Sequence, residues 1–185
     1  MQLKHYAGAV LLVLLIALAA GCAGSTSGQT VVKNDTVTVD YVGWLDNGTI
    51  FDTSNASVAQ AAGIYDPNIT YKPISFVVGS GQVIQGFDDA IIGLKVSESK
   101  NITLTPDQAY GKYNPSLVRP VNMTDLIANG ITPHVNDTLY YGTEPVTIVS
   151  IPNNTTVMID FNHPLAGKTL HFKLTVRSIK PPSAS

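Results

Sequence analysis

The chain has 185 residues, a net charge of −2 and a hydrophobic content of 44%, which is enough for one good core with at most a small second lobe. A net charge this close to zero gives no electrostatic basis for binding nucleic acid. Charged residues make up only 13% of the chain, about half of their usual share, and Thr, Ser and Asn supply the missing polarity.

The first 21 residues have the pattern of a signal peptide. An apolar run over residues 6–20 is shorter than the roughly 20 residues of a membrane-spanning helix but suits the apolar region of a signal peptide. The sole cysteine, Cys22, follows the sequence AAG, which resembles a lipoprotein processing site, so we expect Cys22 to be lipid-modified and no disulfide to form within the chain. An ordinary signal peptide and an uncleaved anchor are the alternatives. Residues 22–30 are small and polar, which predicts a flexible tether.

Asn-X-Ser/Thr sequons are unusually dense. They begin at nine of the twelve asparagines, whereas the 31 Ser and Thr residues of the chain would produce about two by chance. The excess predicts N-glycosylation on an exported surface, although a composition rich in Asn-Thr turns is the alternative. Together with the N-terminus, it suggests an archaeal envelope protein at the extracytoplasmic face of the cell membrane. The candidate sites are Asn34, Asn47, Asn55, Asn68, Asn101, Asn122, Asn136, Asn153 and Asn154.

The folded part begins with a predicted β-hairpin. Val37, Val39 and Tyr41 alternate with polar residues, residues 46–48 (DNG) form the turn, and residues 50–51 begin the return strand. A short helix over residues 57–62 follows, with Asn55 or Ser57 as its cap. We expect the stretch around this helix, residues 54–72, either to contact substrate or to form a packed surface turn.

A second helix is predicted in residues 84–94. Its apolar residues recur at helical spacing and its acidic pair lies in the first turn, where the helix dipole favours negative charge. Residues 99–104 read as a strand that leads to a turn presenting Tyr110. The apolar face of the helix consists of Ile84, Phe87, Ile91 and Leu94, and the acidic pair is Asp88 and Asp89.

About 50 residues intervene between Tyr110 and the last predicted strand. Residues 123–129 predict a helix that ends at Gly130. Three strand-like runs follow at residues 138–141, 146–151 and 157–161, separated by turn residues. This stretch therefore predicts a small β-rich lobe.

Three motifs in order identify a family. Residues 41–54 (YVGWLDNGTIFDTS), 83–87 (VIQGF) and 105–111 (TPDQAYG) resemble the FK506-binding-protein (FKBP) type of peptidyl-prolyl cis-trans isomerase. The resemblance extends from about residue 31 to residue 180. It implies an α+β fold, mostly β, in which an antiparallel sheet wraps around a short helix.

Two further stretches of sequence indicate which subgroups of this family the chain resembles. Residues 162–167 (NHPLAG) and the strand after them resemble the SlyD-like subgroup, while residues 54–72 resemble the archaeal branch. The resemblance implies an isomerase domain in two segments, residues 31–113 and 161–182. The lobe at residues 114–160 would interrupt it and bind unfolded chains through exposed apolar surface. Substrate capture and a pure spacer are the alternatives for the lobe.

The family's site positions can be carried over residue by residue. Phe87 stands where the family usually has Trp, under the proline ring, and Tyr110 would donate its hydroxyl to a substrate carbonyl. The expected catalytic residues are Tyr110, Asp52, Phe51, Phe87 and Phe172. The expected substrate-binding residues are Tyr41, Ile74, Val83, Ile84 and Leu165.

The chemistry asks for little. The barrier between cis and trans X-Pro bonds, about 18–20 kcal/mol, comes from amide resonance, and an apolar cleft favours the twisted, less polar state. No cofactor is needed, and four histidines without metal-ligand spacing predict no metal; His163 reads as a loop residue bonded to backbone. We expect a monomeric isomerase that assists exported, unfolded or partly folded, proline-containing polypeptides and is held to the membrane by its N-terminus. The alternative is a non-catalytic peptide-binding chaperone with the same fold.

Overall fold

The computed structural model describes residues 28–182, so the predicted signal peptide, Cys22 and most of the predicted tether lie outside the described residues. Within that range, no helix combines the length and apolarity needed to cross a membrane. The folded part begins at Thr30, which pairs with Lys95, and Val31, which is fully buried. It therefore starts one residue inside the stretch predicted as a tether.

The described residues form nine strands and three α-helices. In chain order they are β1 (Thr36–Leu45), β2 (Ile50–Thr53), α1 (Ala56–Ala61), β3 (Ile74–Val77), α2 (Gln85–Ile91), β4 (Ser99–Leu104), β5 (Val118–Asn122), α3 (Met123–Ala128), β6 (Thr138–Tyr141), β7 (Glu144–Asn153), β8 (Thr156–Asp160) and β9 (Leu170–Lys180).

Five strands form what we call the main sheet, in the order β2-β1-β9-β4, with β3 paired to the first half of β1. The predicted alternation in β1 is confirmed, because Val37 and Val39 are fully buried. The long β1 has β9 along its whole length and β2 along its second half. In this register, Gly43 of β1 pairs with Asp52 of β2 on one side and with Phe172 of β9 on the other.

Helix α2 packs its predicted face into the core under the main sheet, where Phe87 and Ile91 are buried. The helix is shorter than predicted, since Ile84 is its N-cap and Leu94 follows its end. Asp88 lies in the first turn, as predicted, and it also bonds to the loop before the helix. Its buried carboxylate accepts the N–H of Gly79 at 2.8 Å, which fixes the loop between β3 and α2.

The remaining four strands form a second sheet, β5-β8-β7-β6, which with α3 makes up the lobe. The predicted helix and the three predicted strands are confirmed, but β5 was not expected. This strand contains Pro120, which has no N–H to donate. Because β5 is an edge strand, Pro120 can be accommodated there. The buried core of the lobe consists of Leu126, Val146, Ile148, Val157 and Ile159.

One buried side chain ties together the two segments that connect the lobe to the main sheet. The Oδ1 of Asn162 accepts the N–H of Asn114 at 2.9 Å, and its Nδ2 donates to the carbonyl of Asn114 at 3.0 Å. The same amide donates to Asp160 at 2.7 Å. Since every polar atom of this buried amide is satisfied, Asn162 holds the entering and leaving chains side by side.

Candidate active site

A cleft of about 430 Å³ lies where β1, β2, β9 and the start of α2 meet. It contains nine of the ten residues expected at the site. The tenth, Leu165, is not among the lining residues and is half-buried against the core of the main sheet. The lining consists of Tyr41, Phe51, Asp52, Ile74, Gly81, Gln82, Val83, Ile84, Phe87, Tyr110 and Phe172.

Phe87 forms the floor of the cleft. It is 3% exposed, and its ring meets those of Phe172 at 5.5 Å, Phe76 at 5.9 Å and Tyr41 at 6.0 Å, all edge to face. Phe51 extends the cluster by meeting Phe172 at 5.6 Å. Edge-to-face packing of this kind fixes ring orientations, so the cleft offers a pre-formed apolar surface.

Gly43 allows the two wall rings to come together. A Cβ at this buried position of β1 would lie 2.7 Å from the Phe51 ring and 2.8 Å from the Phe172 ring, closer than such atoms can approach. A glycine inside a strand often marks a close approach of this kind. The shape of the cleft therefore depends on the absence of a side chain at this position.

We expect Gly43→Ala to displace these two rings and to lower kcat/KM for a proline peptide about tenfold, with a loss of about 1–3 kcal/mol in the free energy of unfolding. Steady-state kinetics and denaturant titration measure the two effects. Gly28→Ala is the matched control, because no atom lies within 4 Å of a Cβ there. Full activity and stability in Gly43→Ala would contradict this account.

The polar side of the cleft is built from a tyrosine and a carboxylate. The Tyr41 hydroxyl donates to Asp52 Oδ2 at 2.8 Å, and the N–H of Thr53 donates to Oδ1 at 2.8 Å. Burial first, and then the bond to Asp52, raise the pKa of Tyr41 well above its ordinary value. Asp52 is thereby held in one orientation at the mouth of the cleft.

Tyr110 lines the cleft and is partly exposed to solvent. It is 40% exposed, and burial of its ring together with the negative charge of Asp52 raises the pKa of its hydroxyl. The group therefore stays protonated at neutral and mildly alkaline pH. It is able to donate a hydrogen bond to a carbonyl that enters the cleft.

His163 positions Tyr110 from outside the cleft. The two rings are stacked with centroids 3.7 Å apart and planes at 4°. The His163 Nδ1 accepts the N–H of Leu165 at 3.1 Å, so the residue is bonded to backbone, as its sequence context suggested. The stack was not predicted, since nothing in the local sequence relates residue 163 to residue 110.

The stability of the protein should depend on pH through His163. Burial lowers the pKa of His163, an effect that the Glu144 carboxylate opposes. Because the folded state disfavours the imidazolium, the stability that neutral His163 contributes is present above pH 6.5 and is lost as the pH falls through its lowered pKa. We expect Tm to decline more steeply between pH 7 and pH 5 in the original chain than in His163→Phe, which keeps a ring on Tyr110. Parallel curves would refute this role.

Gln82 also lies in the cleft without having been predicted. Its Oε1 accepts the N–H of Val77 at 2.9 Å and the hydroxyl of Ser80 at 3.0 Å. These bonds close the turn between β3 and α2 and set the start of α2, where Val83 and Ile84 meet the cleft. A glutamine in a glycine-rich turn is too common a pattern to have indicated this role.

A family model for FKBP-type peptidyl-prolyl cis-trans isomerases matches residues 27–177. The chain belongs to the FKBP family. Among its relatives, the short-type peptidyl-prolyl cis-trans isomerase of Methanocaldococcus jannaschii is 36% identical over 151 residues, covering 82% of this chain and 95% of the relative. The FKBP-type isomerase SlyD of Helicobacter pylori is 32% identical over 117 residues, 61% of this chain and 62% of the relative.

A more distant FKBP relative covers a similar length. The FKBP-type 16 kDa peptidyl-prolyl cis-trans isomerase of Escherichia coli is 27% identical over 157 residues, 83% of this chain and 96% of the relative. Membership in the FKBP family relates the cleft to peptidyl-prolyl cis-trans isomerisation. The aromatic floor, the Tyr110 hydroxyl and the Asp52 carboxylate suit isomerisation about a C–N bond, a reaction that breaks no covalent bond.

Proposed function

We propose that this protein is a prolyl isomerase that assists the folding of exported polypeptides at the outer face of the cytoplasmic membrane. The single observation that carries the catalytic part is the cleft itself, in which an apolar aromatic floor lies beside the Tyr110 hydroxyl and the Asp52 carboxylate that Tyr41 holds in place. Membership in the FKBP family supports the same reaction. We expect the protein to act as a monomer.

The cleft lowers the barrier by stabilising the twisted amide. In this proposal the proline ring packs on Phe87, and the flanking carbonyls are held by the Tyr110 hydroxyl and by the backbone at Val83 and Ile84. Twisting removes amide resonance and reduces charge separation, so an apolar, water-poor surface favours it over the planar states. Each tenfold gain in rate requires about 1.4 kcal/mol of such preference.

The lobe supplies the surface for capturing unfolded chains in this proposal. Tyr140 and Tyr141 are each 74% exposed, and Ile127 is 58% exposed, which supports contact with other polypeptides. The Tyr141 ring lies 5.8 Å from that of Phe161, directly before Asn162 at the junction with the main sheet. A chain held at this surface would be close to the segment that carries His163.

The location rests on the N-terminal sequence and on the sequons. The signal-peptide pattern and Cys22 support export and lipid attachment, and all nine sequon asparagines are exposed, which supports glycosylation. Mass spectrometry of the native protein tests both modifications. A lipid on Cys22 and glycans on several sequons are the expected result, whereas an unmodified protein in the cytoplasmic fraction would contradict the location.

A non-catalytic peptide-holding chaperone is the second candidate, because the exposed tyrosines of the lobe would serve it equally well. The cis-to-trans conversion of a proline tetrapeptide by the purified chain separates the two. We expect a rate that rises in proportion to protein concentration. A rate equal to that of buffer, with aggregation of an unfolded protein still suppressed, would favour the chaperone.

A further inference from the structure

A second cleft, of about 510 Å³, continues the first. The two share Tyr41, Asp52 and Ile74 in their walls, so together they form one groove that is longer than a proline ring requires. The far wall of the second cleft is the segment after α1, residues 69–73. A polypeptide whose proline occupies the first cleft would have its flanking residues in the second.

The far wall is fixed before any substrate arrives. The Tyr71 hydroxyl accepts the N–H of Asp66 at 2.9 Å and donates to the Ile64 carbonyl at 3.3 Å. The ring of Tyr71 stacks on that of Tyr65, with centroids 5.3 Å apart and planes at 17°. A wall held by its own hydrogen bonds loses little conformational entropy on binding, which suits a recognition surface.

The charges in the second cleft are asymmetric. Among the described residues, Asp52 is the only carboxylate in its lining, and the two oxygens of that group accept hydrogen bonds from Tyr41 and Thr53. Lys72 is its only lining cation, and within residues 28–182 it takes part in no ion pair. The charge of Asp52 therefore lies at the border with the first cleft, where Tyr41 and Thr53 hold the carboxylate. The charge of Lys72 lies on the far wall, without an ion-pair partner among the described residues.

We propose that the second cleft binds the residues flanking the substrate proline and that Lys72 makes it select an acidic side chain there. This inference rests on the proposed isomerase function and adds a sequence preference to it. Six of the nine remaining lining residues carry a hydroxyl group, which suits a polar, extended chain. Lys72 is a specificity residue in this account and takes no part in the bond rotation.

The test uses proline peptides in which one residue within three positions on either side of the proline is Glu, Lys or Ala. The full chain, produced without glycans, is assayed for kcat/KM on each peptide. At one position we expect Glu to exceed Lys about tenfold, because one attractive contact replaces one repulsive contact of modest energy. Lys72→Glu should invert that preference.

The matched control is Lys180→Glu, which makes the same charge change at an exposed residue eight positions along β9 from Phe172. It should keep the original Glu preference. Equal kcat/KM for Glu and Lys peptides at all positions, with the Ala peptide turned over normally, overturns the role of Lys72 and leaves the isomerase proposal intact. If the Ala peptide is not turned over, the isomerase proposal fails. In that case, the affinities of the same peptides for the original chain and for Lys72→Glu, measured by calorimetry, test whether Lys72 selects Glu. Equal affinities for the Glu and Lys peptides would overturn the role of Lys72.

Discussion

The Tyr110→Phe, Asp52→Leu double variant should lose about 100-fold in kcat/KM for a proline tetrapeptide while remaining folded. Each residue supplies one polar contact at the cleft, and loss of a hydrogen bond to a polarised group costs roughly 1–2 kcal/mol. Both residues are exposed or half-exposed, so removing their polar atoms leaves the aromatic floor packed. A protease-coupled isomerisation assay measures the effect.

The control makes the same two types of substitution, Tyr to Phe and Asp to Leu, at positions outside the cleft. Tyr113→Phe with Asp89→Leu removes a hydroxyl and a carboxylate from exposed positions and should keep the original rate. If the cleft variant also kept it, catalysis would not depend on these two groups, and the aromatic surface alone would have to explain turnover.

Removing the lobe should separate catalysis from capture. We expect replacement of residues 115–160 by a short Gly-Ser linker to leave turnover of a tetrapeptide close to its original value. Proline-limited refolding of a protein substrate should slow about 100-fold, because tethered capture raises the effective concentration of substrate at the cleft. The junction permits this deletion, since Asn114 and Asn162 are already joined by hydrogen bonds.

A milder variant provides a check on this deletion. Tyr140→Ser with Tyr141→Ser removes the exposed rings while leaving the buried core of the lobe in place. It should reproduce part of the loss in protein refolding and none in tetrapeptide turnover. A parallel loss of both activities in either variant would mean that the lobe belongs to the catalytic unit.

The fold could be predicted where local pattern and family motifs agree. The alternation of β1, the apolar face of α2 and the helix and three strands of the lobe all follow from periodicity. Strand β5 was not predicted. It contains Pro120, which a sheet accommodates at an edge, and a place at the edge is a tertiary property. Leu165 is half-buried against the core of the main sheet, and its contact with substrate stays a prediction.

The site could be predicted as a set of residues but not as a geometry. The motifs brought nine residues to one cleft, because each motif stands for a position in a known arrangement. The stack of His163 on Tyr110 joins residues 53 positions apart, and the cleft bordered by Lys72 depends on how residues 64–73 fold back. Neither follows from spacing, because contacts between distant segments are settled by packing.

The register of β9 has a consequence for the order in which the molecule is made. Leu170 pairs with Leu45 and Lys180 with Thr36, so the main sheet cannot close until almost the whole chain has been synthesised. The lobe is different, since β6–β7 and β7–β8 pair across short turns and local contacts form quickly. A growing chain therefore completes its lobe first. During that interval, the protein has its exposed tyrosines but not yet its prolyl cleft. The bonds before Pro73 and Pro106, which flank strands β3 and β4 of the main sheet, must therefore reach their native state without help from that cleft.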